Sequence, residues 1–310
     1  MEEALAEVLG ASSVTELKRL SGGASRDTFA FDADGRPLIL QRQRVAGARD
    51  FATESALLRE ARRVGVPVAE VLATDDDATD DQRAAIGAAF MVVERLEGQT
   101  IARKILRDEE FAGARTKLAT QCGEALAGIH SIPNDAVPGL EQTDQVAQYR
   151  TAHDQLGVPS PAFELGFRWL ESNRPASSPV TVVHGDFRLG NLIIDADGLR
   201  AVIDWELGHL GDPMEDLGWL CTKAWRFGAK PRVGGFGEID DLVAAYEACS
   251  GAAVDRDALR WWEVLGTLKW GVMCNMQASA HLSGMVRSVE LATIGRRVCE
   301  QEHDLLLLLP

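Results

Sequence analysis

Val180-Thr181-Val182-Val183-His184-Gly185-Asp186-Phe187-Arg188-Leu189-Gly190-Asn191, followed by Ala201-Val202-Ile203-Asp204-Trp205-Glu206, decides how this chain is read. An apolar strand delivers His184-Gly185-Asp186 into a loop. Asp186 and Asn191 lie five residues apart, with Gly190 beside Asn191, so one loop can bring both oxygens around a small volume. A second apolar strand delivers Asp204 at its end. Two carboxylates and an amide oxygen at strand ends suit Mg²⁺, a hard cation that takes oxygen ligands. Mg²⁺ usually takes one or two carboxylates and completes its shell with water and substrate phosphates, which leaves one group to act on a hydroxyl proton. These are the parts of a phosphoryl-transfer site.

The flanks are consistent with that reading. In Gly211-Asp212-Pro213, Asp212 suits a helix N-cap and Pro213 the first helical position, so this stretch reads as scaffold. Asp216 is placed to buttress the metal loop. Arg188 is left with two roles, a phosphate contact or a pairing with a carboxylate. Towards the N-terminus the texture is mixed. Residues 2–9 suit a short helix, and Thr28–Phe31 and Leu38–Leu40 suit strands joined by a turn at Asp32-Ala33-Asp34-Gly35. Residues 50–64 have helical spacing, Val68–Leu72 and Ala88–Val93 read as strands, and Asp75–Asp81 reads as an acidic loop. After Gly98 helices dominate, at 109–130, 141–157 and from Ser160-Pro161 to about Asn173, and again beyond Asp212. The expected organisation is α+β and bilobal: a small β-rich lobe over residues 1–97 and a larger, mainly helical lobe over 98–310.

The His-Gly-Asp-x-x-x-x-Asn segment and the later Ile-Asp-Trp resemble the catalytic and metal motifs of the aminoglycoside phosphotransferase and choline kinase-like family. That resemblance implies a protein-kinase-like fold, with Asp186 as the catalytic aspartate and Asn191 and Asp204 as Mg²⁺ ligands. It implies His184 as a support of the loop, and it puts Trp205 where protein kinases carry a phenylalanine. It further implies a nucleotide clamp in the first lobe. Ser21-Gly22-Gly23 resembles the family's glycine-containing loop, whose backbone N–H groups cover phosphates. Glu94-Arg95-Leu96 falls where the hinge backbone would hold the adenine edge, which gives Glu94 and Leu96 as nucleotide-binding positions. On the strand where many kinases place lysine, this chain has Gln41, and no lysine occurs between Lys18 and Lys104. A one-residue register shift, Arg42 reaching round, or an amide in place of a charge would each account for this; Arg42 is favoured, with Glu54 on the next helix to orient it. The cofactors implied are ATP, with GTP not excluded, and Mg²⁺.

Composition limits the alternatives. The chain has 310 residues, 32 Lys+Arg and 47 Asp+Glu, for a formal net charge of −15. That balance disfavours a nucleic-acid partner. The five cysteines are scattered, without a Cys-x-x-Cys pair, so neither a zinc cage nor a disulfide framework is expected. The first residues lack a basic-then-apolar leader, and the longest aliphatic run, Leu305–Leu309, is too short to span a bilayer. A cytoplasmic enzyme with no membrane partner is expected, acting on a small-molecule hydroxyl. The alternatives are an aminoglycoside-modifying kinase and a nucleotide-binding pseudoenzyme or regulator. Glu263, Glu300, Glu302 and Asp304 would bind amines if they clustered; otherwise they are solvated helix faces. The run Arg260-Trp261-Trp262 to Trp270 reads as a buried helix, with an aromatic ligand wall as the minority reading.

Overall fold

In the computed structural model, residues 1–20, 26–44, 51–176 and 179–310 are described. Helix α1 (Glu2–Leu9) precedes strands β1 (Val14–Arg19), β2 (Arg26–Ala33) and β3 (Arg36–Gln43), helix α2 (Phe51–Arg63), strand β4 (Val71–Thr74), helix α3 (Asp80–Ile86) and strand β5 (Phe90–Glu94). The five strands form one antiparallel sheet in the order β1-β2-β3-β5-β4. Its central hairpin turns at Asp34 and Gly35, with φ of 48° and 79°, between Ala33 and its partner Arg36. A two-residue loop with both φ positive matches the right-handed twist of the flanking strands. Asp34 secures the turn by accepting backbone N–H bonds from Ser12 and Ser13 at 2.8 and 2.9 Å.

Alternation along β5 gives the sheet two different faces. Phe90 and Val92 join Phe31, Leu38, Leu40 and Leu5 in a core closed by the N-terminal helix. Met91 and Val93 point the other way, into a core that takes in Leu57 and Leu58 of α2 and continues through Leu118, Leu126, Phe187, Leu192 and Trp205. The apolar packing is therefore continuous from the sheet into the helical part of the molecule. The acidic stretch expected to be a loop is instead a 3₁₀ turn, Asp75–Asp77, followed by α3. The reason is a capping box: Thr79 Oγ1 accepts from Gln82 N, and Gln82 Oε1 accepts from Thr79 N. Strand β4 lies about three residues beyond its expected start, and β1, not expected, pairs with β2 at the sheet edge.

After β5 the chain crosses at Gly98. Its φ is 147°, and a Cβ there would lie 2.4 Å from Ile193 Cγ2, so the crossing needs a bare backbone. Helices α4 (Ala102–Arg107), α5 (Ala112–His130), α6 (Gln145–Leu156) and α7 (Pro161–Ser172) follow. Ser160 caps α7 as its sequence predicts, accepting from Phe163 N. Two small antiparallel ribbons then carry the motif segment: β6 (Thr181–Val183) pairs with β9 (His209–Gly211), and β7 (Leu192–Asp195) with β8 (Gly198–Val202). The chain ends in α8 (Met214–Cys221), α9 (Ile239–Ser250), the 27-residue α10 (Arg256–Leu282), α11 (Val289–Gly295) and α12 (Val298–Leu308). Among the described residues no helix is long and apolar enough to cross a membrane. All five cysteines are free thiols.

Candidate active site

The loop after β6 is held from below by one buried carboxylate. Asp216, on α8, accepts the backbone N–H of His184 at 2.7 Å and of Gly185 at 2.9 Å, and contacts His130 Nε2 at 3.2 Å. Burial opposes its ionisation, but His130 and these N–H donors outweigh that and hold its pKa below the usual carboxylate value. Gly185 has φ 78°, and a Cβ there would lie 2.5 Å from Leu207 O, so the turn depends on glycine. Burial pushes the His184 pKa down. Its Nδ1 accepts from Asp186 N, and its Nε2–H donates to Ile203 O at 3.1 Å, which ties the loop to the strand end that carries Asp204. Both ring nitrogens are thereby committed to the backbone.

Asp186 is then presented with its carboxylate held on three sides. Trp219 Nε1 donates to Oδ1 at 2.7 Å, Arg188 Nε lies 3.0 Å from the same oxygen, and Asn191 Nδ2 donates to Oδ2 at 2.6 Å. Of the two roles left for Arg188, carboxylate pairing is the one observed, with its guanidinium 4.6 Å above the Trp225 ring. Asn191 Oδ1 accepts no hydrogen bond from a described residue, so its amide oxygen is available.

Asp204 follows Ile203 with φ 67° and ψ 63°, a left-handed conformation that a non-glycine residue adopts at a cost. Burial pushes its pKa up to about 7, and the carboxylates of Glu206, Asp186 and Glu54 add to the shift. Among the described residues the cation acting on Asp204 is Arg26, from the start of β2. Its guanidinium bonds to Glu54 of α2 at 2.9 and 2.6 Å, stands 3.7 Å from Glu206, and lies 4.8 Å above the Phe51 ring.

This geometry corrects the expected pairing of Arg42 with Glu54. Register puts Arg26 opposite Gln43, Asp27 opposite Arg42 and Thr28 opposite Gln41, and directly opposed residues share a face. Arg42 is thus on the far side of the sheet. There it pairs with Asp27 at 3.2 Å, donates to Ile86 O at 2.9 Å and packs over Phe29. Gln41 faces the cleft, with its Oε1 3.4 Å from Arg26 Nη1. The cation comes from β2 rather than β3.

Excess carboxylate with a single nearby cation is the arrangement that a divalent metal would relieve. Among the described residues no three His, Cys, Asp or Glu side chains form a metal cage by themselves. Mg²⁺ takes few protein ligands and keeps water and phosphate oxygens in its shell. Asp204 and the free amide oxygen of Asn191 fit that role. At the hinge, Glu94 closes β5 opposite Leu38; the Leu96 N–H donates to no described residue and its C=O accepts from none. Ser21, Gly22 and Gly23 lie outside the described residues.

Residues 16–262 match the model of the phosphotransferase enzyme family. The chain belongs to the phosphotransferase enzyme family. In structure it is similar to a Ralstonia eutropha protein described as an aminoglycoside phosphotransferase, with a TM-score of 0.80 and 20% identity, covering 99% of this chain and 97% of that one. It is also similar to a choline/ethanolamine kinase family protein from Mesorhizobium loti, with a TM-score of 0.64 and 20% identity, covering 95% and 88%. A third likeness is a thermostable mutant of aminoglycoside phosphotransferase APH(4)-Ia in ternary complex with ADP and hygromycin B, with a TM-score of 0.64 and 18% identity, covering 98% of each chain. The fold is therefore protein-kinase-like. By sequence the chain is 29% identical over 264 residues to mouse acyl-CoA dehydrogenase family member 10, covering 77% of this chain and 23% of that protein. It is 31% identical over 236 residues to an Arabidopsis thaliana protein described as acyl-CoA dehydrogenase IBR3, covering 68% and 27%. The chain spans about a quarter of the length of these relatives.

Beside Asp186 this family member carries aromatic and cationic groups that the sequence did not single out together. Trp219, Trp225 and Trp270 pack in series with tilted rings, their centroids 5.0 and 4.8 Å apart. Lys269 lies 4.8 Å from the Trp219 ring and 3.6 Å from Glu215. Burial disfavours its charge, yet Glu215, Tyr149, Asp186 and Asp216 outweigh burial and raise its pKa. Trp270 thus joins an aromatic cluster, whereas Trp261 and Trp262 are structural, donating to Leu170 O and Asp212 Oδ2. The acids for which clustering and solvated helix faces were the alternatives are each taken up by a partner instead. Glu263 is buried between Arg226 and Arg232, Asp304 pairs with Lys223, Glu302 accepts from Ser160, and Glu300 pairs with Arg297.

Proposed function

We propose that this protein is an ATP- and Mg²⁺-dependent phosphotransferase that moves the γ-phosphoryl group to a hydroxyl of a small molecule, with the nucleotide clamped by residues 1–97 and the acceptor held by residues 98–310. The observation that carries this reading is the convergence of Asp186, Asn191 and Asp204 at adjoining strand ends, with the Arg26–Glu54 pair facing Asp204. Asp204 and Asn191 would hold Mg²⁺, which when bound neutralises charge on the phosphate oxygens. Asp186 orients the acceptor hydroxyl and takes up its proton. Trp219, Arg188 and Asn191 fix the carboxylate so that little reorganisation is needed as transfer proceeds. Arg26, held by Glu54, supplies the phosphate-facing cation in place of a strand lysine. Leu96 and the carbonyl of Glu94 offer backbone edges to the base, and Ser21-Gly22-Gly23 is assigned to the phosphates from its sequence.

The acceptor is read as a hydroxylated acyl thioester. The relatives that match by sequence are named for acyl-CoA dehydrogenation. The C-terminal acids are consumed by internal partners, and the groups near Asp186 are aromatic or cationic, which favours an acceptor that is not a polyamine. The test is a coupled ADP-release assay, confirmed by ³¹P NMR of the product, with a hydroxyacyl-CoA, choline and hygromycin B as acceptors. Transfer to the hydroxyacyl-CoA that requires Mg²⁺ and disappears in Asp186→Ala is expected. Equal turnover by wild type and Asp186→Ala overturns the catalytic assignment; transfer to hygromycin B alone overturns the acceptor.

A further inference from the structure

In a chain with net charge −15, one cavity has the opposite sign. It has a volume of about 710 Å³ and lies between α4, the segment after α8, and the start of α12. Its walls carry Arg103, Lys223, Arg226, Arg296 and Arg297, with His303, against two carboxylates, Glu300 and Asp304. Lys223 pairs with Asp304, Arg297 with Glu300, and Arg226 with the buried Glu263. Arg103 and Arg296 make no ion pair with a described residue, and both are exposed. Pairing therefore leaves a surplus of positive charge concentrated in one concave place.

The backbone adds to that surplus. Helix α12 starts at Val298 and has no side-chain cap at its N-terminus. The unpaired N–H groups and the macrodipole make this end electropositive, which is where anions bind favourably and cations do not. Arg296, at the C-terminal end of α11, and Arg297, at the N-cap of α12, both stand at the cavity wall beside this helix end. Cavity, charge surplus and helix end all favour the same ligand chemistry.

The cavity is also tied to the catalytic carboxylate. Ala224 and Arg226 in its wall flank Trp225. The Trp225 ring lies beneath Arg188, which pairs with Asp186. A ligand seated in the cavity is thus one aromatic side chain removed from the groups that act on the acceptor hydroxyl.

We propose that this cavity binds a polyanionic, phosphate-bearing handle of the acceptor, with Arg103, Arg296, Arg297 and the N-terminus of α12 as its anion contacts. The proposal rests on the phosphotransferase reading for the word acceptor, but the site itself is defined by the cavity alone. Two sources share the chemistry: the diphosphate and ribose phosphate of coenzyme A, or a free polyphosphate.

The experiment is isothermal titration of the full chain with coenzyme A and, in parallel, with inorganic tripolyphosphate, at low salt and repeated at 0.5 M NaCl, a condition chosen for strong screening. Saturable binding that weakens with salt and falls about tenfold or more in R103A/R296A is expected, while R36A, a surface arginine paired with Glu70 in the other lobe, leaves it unchanged. Stronger binding of coenzyme A than of tripolyphosphate assigns the handle to a coenzyme A thioester; comparable binding assigns the site to phosphate alone. The titration is repeated in D204A, whose Mg²⁺-nucleotide site is disabled under the phosphotransferase reading. Unchanged anion binding there places the ligand outside the catalytic cleft and supports the proposal. Binding lost in D204A but retained in R103A/R296A overturns it, as does no binding of either probe at millimolar concentration. Failure of D204A to alter nucleotide binding would count against the phosphotransferase reading and leave the arginine comparison intact.

Discussion

The loop after β6 and the cluster around Arg26 beneath the sheet are built differently. In the loop, Asp186, Arg188 and Asn191 lie within six residues of one another and bond among themselves. Asp216, backed by His130, and Trp219 arrive from elsewhere, and they hold positions that the local turn has already defined. The cluster around Arg26 has no such local definition. It joins the start of β2, the middle of β3, the first turns of α2 and the turn after Asp204, and it depends on β2–β3 register. A site written in one turn survives small errors in placing strands. A site written across four segments does not, because a one-residue slip sends every side chain to the other face.

The largest expected effect tests the local site. Asp186→Asn keeps the shape and the contact with Trp219 but removes the charge that accepts a proton. A fall in kcat of about 10³-fold or more is expected, with Mg²⁺-ATP affinity within about threefold of wild type. Nucleotide affinity falling in parallel with kcat would mean that the loop is a binding element.

The next effect tests the distributed site and separates the two arginines. Arg26→Gln is expected to lower kcat/KM by about 10²-fold or more, with Arg42→Gln within about threefold of wild type, measured in the same assay. The reverse order would make Arg42 the phosphate-facing cation and Arg26 a structural partner of Glu54.

A third measurement asks whether the loop is preassembled by Asp216. Asp216→Ala leaves two buried N–H groups without an acceptor, so a loss of about 3 kcal/mol in urea unfolding is expected. The wild-type contribution has a defined pH dependence. Because the folded-state pKa lies below the ordinary value, the stabilisation is present above pH ~4 and is lost as pH falls through the folded pKa. Equal stability of variant and wild type at pH 7 would remove the buttress.

The smallest effect has the opposite sign. Asp204 titrates near 7 in the folded chain, so the nucleotide-free protein is stabilised by its protonated form below pH ~4 and loses that contribution as pH rises through 7. Asp204→Asn mimics the protonated state. A rise in Tm of about 2–4 °C at pH 8 is expected, disappearing below pH ~4, together with loss of the Tm increase caused by Mg²⁺-ATP. A lower Tm for the variant at pH 8 would show that Asp204 is not strained by its neighbours.

Much of the architecture was legible in particular residues. Asp34-Gly35 marked the hairpin, Ser160-Pro161 the start of α7, and the spacing of Leu57, Leu58 and Ala61 the helix α2. Misses came where a local signal was outvoted by composition. The Thr79–Gln82 capping box was hidden in a run of aspartates, and β1 carries a polar sequence because only its pairing with β2 makes it a strand. Trp219 and Lys269 gave no signal as site residues, since each reads as one more position of a buried helix until α8 and α10 pack together beside Asp186.

The sequence by itself determined the chemistry of the loop: which carboxylates and which amide converge, and hence the kind of reaction the site suits. Those identities sit at fixed spacing in one or two turns, where backbone geometry leaves few alternatives. Only the tertiary structure decided which arginine faces the cleft, which acids are already paired, and where positive charge collects in an acidic molecule. These follow from strand register and helix packing, which bring together residues as distant as Arg26 and Glu206, or Arg103 and Arg296, and which no local pattern encodes.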